Sequence, residues 1–222
     1  MTARRAAGAL SRTKIGIVLA LGAALVVRAG AQTPTRGDAT ALLAKAAAAF
    51  GTGGAHTSAF TQIYTPAGFS TARRESGTVW VQAPERLRFD YAAPDARVFT
   101  YDAGEGRFYS PEDRQLTVHH LTPDERARLP LVFLEKPDEL ARCFAIAEDP
   151  AGAIVLTPRA ADSDLSWLKL RIAETGMVEA LSYQDTSGNL TEFRFDGWKS
   201  DRARPPADYR IEGPKGTRTV TQ

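Results

Sequence analysis

Residues 80–95, "WVQAPERLRFDYAAPD", carry the clearest strand signature in this chain of 222 residues. Between the two prolines, apolar Leu87, Phe89 and Tyr91 alternate with charged residues. A period of two places successive side chains on opposite faces of a β-strand. The stretch therefore predicts a strand with one apolar face and one solvated face, which raises the question of what the apolar face covers.

The same alternation recurs along the chain and predicts a mainly β protein. Gly, Pro and Asp residues separate the apolar runs, and "DTSGN" at 185–189 predicts a hairpin turn. The predicted strands are "SAFTQIY" (58–64), "TARRESGTVWVQ" (71–82), "RLRFDY" (86–91), "ARVFTYD" (96–102), "GRFYS" (106–110), "RQLTVHHL" (114–121), "GAIVLTP" (152–158), "LSWLKLRIAE" (165–174), "MVEALSYQ" (177–184), "LTEFRFDGW" (190–198) and a last one around "DYRIEG" (208–213).

Two helical segments interrupt the strand pattern. Asp38 is a candidate N-cap for an Ala-rich helix that ends at Phe50. Residues 122–144 predict a short helical insert, in which Thr122 caps the first turn and Glu125 reaches back to it. The fold class expected from these elements is α+β, mainly β.

Many antiparallel strands with a helix in front and a helical insert between them indicate one strongly curved sheet. We expect the helices to cover its concave apolar face. Alternation alone does not distinguish this arrangement from an ordinary packed α+β core.

The first 31 residues follow the plan of a secretory signal peptide. Basic residues precede an apolar run at 15–27, and Ala29-Gly30-Ala31 offers a small-residue cleavage site. The run is short for a membrane span. We therefore predict a signal peptide at 1–31, a single domain at 32–222 and a soluble exported protein.

The charge balance gives no indication of a nucleic-acid partner. The whole chain has a formal net charge of +2, but five of its 28 Lys and Arg residues lie within 1–31, where no acidic residue occurs. Residues 32–222 then have 23 basic and 26 acidic residues, a formal charge of about −3. Binding to nucleic acid needs a basic face that neutralises phosphates.

Residues that invite enzymatic chemistry are few. His119 and His120 are neighbours on a predicted strand, so their side chains point to opposite faces and do not share one metal ion without a bulge. Cys143, the single cysteine, cannot form an internal disulfide, and we expect it to be a buried apolar filler rather than a reactive thiol. The sequence predicts no catalytic residue, no metal site and no cofactor.

The order of the segments resembles the LolA family, the periplasmic carriers of outer-membrane lipoproteins. The resemblance covers nearly all of residues 32–222. The matching blocks are "FTQ" from Phe60, "GTVWVQAPERLRFDYAAPD", "YDAGEGRFYSPEDRQLTV", "LPLVFL", "IVLTP", "LKLRI", "YQDTSGNLTEFRF" and the Pro-Lys-Gly turn near Gly216.

The resemblance implies an incomplete antiparallel β-barrel whose hydrophobic hollow is capped by helices. It implies a monomeric periplasmic chaperone that takes acylated lipoproteins from an inner-membrane ABC transporter (LolCDE) and hands them to an outer-membrane receptor (LolB). Two alternatives remain open on the same fold. One is a sensor that binds a lipid or a lipoprotein and signals to a protein partner, and the other is a carrier of a glycolipid or another membrane lipid.

In a carrier of this kind, the apolar strand faces line a cavity that binds acyl chains. Without the resemblance, plain core residues would be the simpler interpretation. The expected cavity residues are Val79, Val81, Leu87, Phe89, Tyr91, Phe108, Leu168, Leu170, Ile172, Phe193 and Phe195. The expected lid residues are Leu131, Phe133 and Leu134.

One position departs from the family pattern. Many members have Arg-Pro where this chain has Ala83-Pro84, and in them the arginine is thought to latch the lid. Either Arg86 or Arg88 substitutes for it, or the lid closes by packing alone. The simpler interpretation of both arginines is that they lie on the solvated face of their strand.

Overall fold

The computed structural model describes residues 36–51, 54–126, 129 and 131–221. The predicted signal peptide at 1–31 lies outside this range. The described residues belong to the compact unit Pro34–Gln222.

Twelve strands of the described chain form one sheet in the order β12-β6-β5-β4-β3-β2-β1-β11-β10-β9-β8-β7. The strands are β1 (Ala55–Thr65), β2 (Arg73–Gln82), β3 (Arg86–Ala93), β4 (Arg97–Asp102), β5 (Glu105–Ser110), β6 (Gln115–His120), β7 (Phe144–Glu148), β8 (Ile154–Pro158), β9 (Leu165–Ile172), β10 (Val178–Asp185), β11 (Leu190–Asp201) and β12 (Arg218–Thr221). The pair β12–β6 is parallel, and the other neighbours are antiparallel. This curved, open, mainly β sheet confirms the predicted fold class.

The helical elements pack on the concave face of this sheet. They are α1 (Arg36–Gly51), α2 (Pro123–Arg126), a 3₁₀ turn (Val132–Glu135) and α3 (Pro137–Cys143). Helix α1 buries Ala39, Leu43, Ala46 and Phe50. Their spacing of three or four residues places them on one side of the helix, which contacts the 3₁₀ turn, α3, β7 and β2.

Bulges help the sheet to curve. The register shifts at Ser76/Gly77 on β2 and between Thr57 and Ala59 on β1. A side chain at Gly77 would place its Cβ 2.0 Å from the carbonyl oxygen of Asp90 and 2.9 Å from the ring of Phe60. Only glycine therefore lets β3 approach β2 this closely behind the Phe60 ring.

The C-terminal segment, residues 202–217, crosses the outer face of the sheet. Its Tyr209 is buried, and the Tyr209 hydroxyl lies 3.3 Å from the Gln82 side chain on β2. The guanidinium of Arg204 lies over the Trp80 ring, 4.6 Å from the centroid. The segment ends in β12, which pairs with β6.

The strand predicted around 208–213 is wrong. The backbone there accepts hydrogen bonds from arginine side chains rather than from a neighbouring strand, because Arg88 donates to the carbonyl of Asp208 and Arg107 to that of Ile211. A 3₁₀ turn at Pro206–Asp208 precedes this stretch. The true last strand is β12, which begins at Arg218.

The predicted helices are also adjusted. Asp38 lies inside helix α1 (Arg36–Gly51) rather than at its cap. The cap at Thr122 is confirmed, since its N–H donates to Glu125 Oε2 at 2.8 Å and its Oγ1 accepts from the Glu125 N–H at 3.3 Å. The insert ends at Cys143 rather than at Phe144, because Phe144 begins β7, a strand that the sequence prediction did not include.

Candidate functional site

The concave face of the sheet is apolar and covered. Most of the predicted cavity residues lie on it: Val79, Val81, Leu87, Phe89, Leu168, Leu170, Phe193 and Phe195 are buried in one cluster, and Tyr91 and Ile172 are half-buried against it. Phe108 shares this face, opposite Phe99 on β4, but it is half-buried and does not belong to the cluster. We call this face the hollow.

Phe60, which the predicted site did not include, lies at the centre of the hollow. Its ring makes edge contacts with Phe89 and Tyr91, each at 5.0 Å between centroids, and lies 6.3 Å from Phe193. The period-two alternation of "SAFTQIY" was the signal that could have identified it. Further buried residues of the hollow that the prediction did not name are Tyr101, Phe144, Ile154, Leu156, Val178 and Leu181.

The helical insert supplies a lid over the hollow. Leu131 and Leu134 are buried in the same cluster as the strand residues, and Val132 and Leu140 join them. Phe133 belongs to the 3₁₀ turn, but its side chain lies outside the part that the structure describes. The lid consists of this turn, α3 and the facing side of α1.

The lid is bound to the β2–β3 turn through Glu85. The N–H of Glu85 donates to Glu135 Oε2 at 2.7 Å. The Lys136 ammonium donates to Glu85 Oε1 at 2.7 Å, and the Arg126 guanidinium lies 3.8 Å from the same oxygen. Glu85 adopts a left-handed backbone conformation with φ of 54°. We call Glu85, Arg126, Glu135 and Lys136 the latch cluster.

Within the part of the chain that the structure describes, Arg86 and Arg88 bind partners other than the lid, so neither acts there as a substitute for a latch arginine. Arg86 Nε binds Asp102 Oδ1 at 3.0 Å, and Arg88 Nε binds Asp90 Oδ1 at 2.7 Å. Both side chains lie on the outer face. The expectation that they are simply solvated is also wrong, because both are half-buried where the C-terminal segment crosses that face.

Coverage of the hollow decreases along the strands. On β3, Leu87 and Phe89 are buried whereas Tyr91 is half-buried, and β10 shows the same change from Leu181 to Tyr183. The less covered end lies towards the β1–β2 and β3–β4 turns. The hollow is therefore closed at the end of the latch cluster and more open at the end of these turns.

Comparison with known families identifies this arrangement. The family model described as "Outer membrane lipoprotein carrier protein LolA" matches residues 54–211. The chain belongs to the LolA family.

Two curated LolA-family relatives carry the name outer-membrane lipoprotein carrier protein. The one from Alkalilimnicola ehrlichii is 28% identical over 146 residues, which cover 65% of this chain and 67% of the relative. The one from Xanthomonas campestris pv. campestris is 26% identical over 167 residues, which cover 72% of this chain and 79% of the relative.

A solved structure supports the fold. An uncharacterized conserved protein from Thermus thermophilus superposes with a TM-score of 0.51 at 12% identity, over 83% of this chain and 99% of that one. At this identity the likeness concerns the fold alone.

Burial changes the pKa of groups at both ends of the hollow. Desolvation raises the pKa of Glu135 in the latch cluster. The hydrogen bond from the Glu85 N–H opposes this rise in the pKa, and the negative charge of the Glu85 carboxylate adds to it. The hydrogen bond to Glu85 raises the pKa of Lys136. Burial also raises the pKa of Tyr91, whose hydroxyl donates to Gln62 Oε1 at 2.7 Å.

The two histidines at the end of β6 have separate partners. His119 Nε2 lies 3.1 Å from Glu125 Oε1, and His120 Nε2 lies 3.8 Å from Glu105 Oε2. Among the described residues, no group of three or more His, Cys, Asp or Glu side chains is placed to hold a metal ion. Cys143 is half-buried rather than buried, and it packs against the core.

The outer face of β9–β11 carries a groove of about 710 Å³. Its lining includes Lys169, Arg171, Glu192 and Arg194. Lys169 is bound to Asp149 at 2.9 Å. Charged walls of this kind do not match the chemistry of an acyl chain. In the portion of the chain covered by the structure, no helix combines the length and apolarity needed to cross a membrane.

Proposed function

We propose that this chain is a periplasmic carrier of acylated lipoproteins. It receives the cargo from an inner-membrane transporter of the LolCDE kind and delivers it to an outer-membrane receptor of the LolB kind. On the way between the two membranes, the hollow shields the acyl chains of the cargo from water. The observation that carries the proposal is an apolar concave face covered by helices that a few polar contacts hold down.

The energetics of acyl chains require such a face. Burial of each methylene contributes about 0.8 kcal/mol, so a chain of about 16 carbons needs on the order of 10 kcal/mol of apolar contact to leave a membrane. The side chains of the hollow supply non-directional contacts that adapt to chains of different shape.

Uptake requires the lid to move. In the structure, Leu131, Leu134 and Leu140 fill the space above the strands and are almost fully buried. An acyl chain would take over their contacts with the hollow, so one apolar surface would replace another. Because neither the empty nor the loaded state leaves a large apolar surface in water, the free-energy difference between the two states stays small. Both loading and release can therefore occur.

We further propose that the protein is exported, that it is a monomer and that it does not catalyse a reaction. Cleavage of residues 1–31 is tested by N-terminal sequencing of the exported protein, and the monomer by its mass in solution. The family description is that of a carrier. His119 and His120, the only residues whose sequence pattern suggests catalysis, lie next to different glutamates, Glu125 and Glu105.

Mass spectrometry of the protein purified from the periplasm tests the function. We expect lipoproteins with their acyl chains attached to co-purify in stoichiometric amounts. A free glycolipid or phospholipid in their place would reassign the cargo. A bound protein partner without acyl chains would overturn the carrier and favour a sensor.

A further inference from the structure

The concave face becomes polar at its more open end. Gln62 on β1, Glu75 on β2, Tyr91 on β3 and Arg97 on β4 all lie on the same face as the buried apolar residues. Gln62 is the register partner of Glu75, and Tyr91 that of Arg97. These four residues, which we call the polar rim, follow directly on the aromatic cluster of Phe60 and Phe89.

Arg97 is the central cation of the polar rim. Its guanidinium lies over the Tyr91 ring at 5.0 Å and over the Phe108 ring at 5.9 Å from the centroid. The side chain is 20% exposed and hydrogen-bonded to Glu75, which is 6% exposed. Two aromatic rings and a buried carboxylate therefore hold the guanidinium in a fixed position on the wall of the hollow.

The polar rim has spare hydrogen-bonding capacity. A guanidinium has five N–H donors, and Arg97 Nε is buried without a hydrogen-bond partner among the described residues. Glu75 also binds Arg73 at 2.9 Å, so its negative charge is shared between two arginines. A buried donor left unsatisfied is destabilising, and an oxygen acceptor from a ligand would remove that penalty.

We propose that the polar rim binds the linkage region of an acylated ligand, with Arg97 donating hydrogen bonds to the carbonyl oxygens of the ester groups that join acyl chains to their glyceryl head. The inference rests on the proposed function and adds a polar site to it. Acyl chains that fill the apolar part of the hollow place these carbonyl groups where the strands change from apolar to polar.

The test compares ligands with and without the carbonyl oxygens. The probe is a synthetic tripalmitoylated cysteine peptide, and its matched control is the same peptide with the two ester groups replaced by ethers. Both compete with a fluorescent apolar dye for the hollow. We expect wild-type protein to bind the ester probe about tenfold more tightly than the ether probe, as one charge-assisted hydrogen bond implies.

The variant carries Arg97→Met with Glu75→Gln, so that no carboxylate is left unpaired in the rim, and Glu75→Gln alone is its control. We expect the double variant to bind both probes with equal affinity and to keep wild-type affinity for the apolar dye. Thermal unfolding of each variant verifies the fold. A double variant that still prefers the ester probe about tenfold overturns the proposal.

The two proposals fail in different ways. Wild-type protein that binds neither probe contradicts the carrier function itself. Wild-type protein that binds both probes equally contradicts only the role of the polar rim. A third probe, diacyl phosphatidylethanolamine, separates two sources of the ester groups. A loss of its binding in the double variant shows that the rim binds diacylglyceryl esters in general, and unchanged binding restricts the rim to the esters of acylated cysteine.

Discussion

Phe89 illustrates what one side chain contributes to the hollow. Its ring is 3% exposed and contacts three other aromatic rings, at 5.0 Å from Phe60, 5.7 Å from Phe193 and 6.2 Å from Tyr91. These contacts are edge-to-face, tilted and stacked, so no single direction dominates. The ring can therefore contribute to a closed core and to an acyl-chain surface with the same atoms.

We expect Phe89→Glu to lose uptake of the tripalmitoylated probe and to lower the free energy of unfolding by about 3–5 kcal/mol. The first effect follows because an unpaired carboxylate is costly on an apolar wall, and the second because the ring contacts are lost. Dye displacement measures uptake and chemical denaturation measures stability.

Ala92→Glu is the matched control, because Ala92 is exposed on the same strand. It should leave both quantities close to wild type. Phe89→Met, which keeps an apolar side chain, should retain uptake. Normal uptake by Phe89→Glu would show that Phe89 does not face the bound chain.

The lid and the β2–β3 turn form a unit that local sequence does not reveal. Glu85 and Lys136 are 51 residues apart, yet their side chains pair at 2.7 Å. Lys136 is 46% exposed, so the ion pair alone contributes about 0.2–1 kcal/mol. The contact is therefore strong enough to bias the lid towards closure and weak enough to release it.

Charge reversal tests the latch cluster. Glu85→Lys places a third positive charge beside Lys136 and Arg126, and we expect it to open the lid and increase binding of an apolar fluorescent dye several-fold. Lys136→Glu should act in the same direction. The double variant restores an opposite-charge pair and should return dye binding most of the way to wild type. Additive effects of the two reversals would show that these residues do not act as a pair.

Glu135 gives the lid a dependence on pH. Burial raises its pKa above the ordinary value of 4.5, so the folded protein binds this proton more tightly than the unfolded chain does. The contribution of Glu135 to stability therefore increases as the pH falls from neutral through the folded-state pKa, and the increase stops near 4.5.

We expect Glu135→Gln to raise the thermal midpoint by a few degrees at pH 7, because the amide keeps an acceptor for the Glu85 N–H without a buried charge. The difference from wild type should shrink as the pH approaches 4.5. Glu139→Gln, on an exposed position of α3, should show no such difference. A Glu135→Gln midpoint that stays below wild type at every pH would contradict this account.

Both faces of the sheet are covered, and different parts of the chain cover them. The lid, which includes the facing side of the N-terminal helix α1, covers the concave face, whereas residues 202–217 cover part of the outer face. Asp102, which is 4% exposed, accepts from Arg86 at 3.0 Å and from Arg210 at 2.5 Å. The C-terminal segment thus stabilises the same strands whose opposite face forms the hollow.

Substitution of Tyr209 tests how much the C-terminal segment contributes to stability. We expect Tyr209→Ala to lower the free energy of unfolding by about 3–5 kcal/mol, since a buried ring is lost from between the segment and β2. Tyr209→Phe removes only the hydroxyl near Gln82 and should cost less than about 1.5 kcal/mol. Chemical denaturation measures both. Equal costs for the two variants would mean that the ring itself does not hold the segment down.

Much of the fold could be predicted because period-two alternation is a local property. The strands around Leu87 and Phe193 and the cap at Thr122 follow from residues within a few positions of each other. Strand β7 was not predicted, because its short sequence "FAIAE" follows a helical segment directly, and only its pairing with β8, with Phe144 opposite Pro158, makes it a strand. The strand predicted at 208–213 is wrong because its backbone binds arginine side chains from distant strands, which no local pattern shows.

The sequence by itself determined ten of the twelve strands described, β1–β6 and β8–β11, their apolar faces and the family resemblance. The tertiary structure alone decided that Glu85 holds the lid, that Arg97 and Glu75 form a charged pair on the concave face, and that β12 lies parallel to β6. The physical reason is distance along the chain. Arg210 and Asp102 are 108 residues apart, and no local pattern records which of many charged residues the folded sheet will bring within hydrogen-bonding distance.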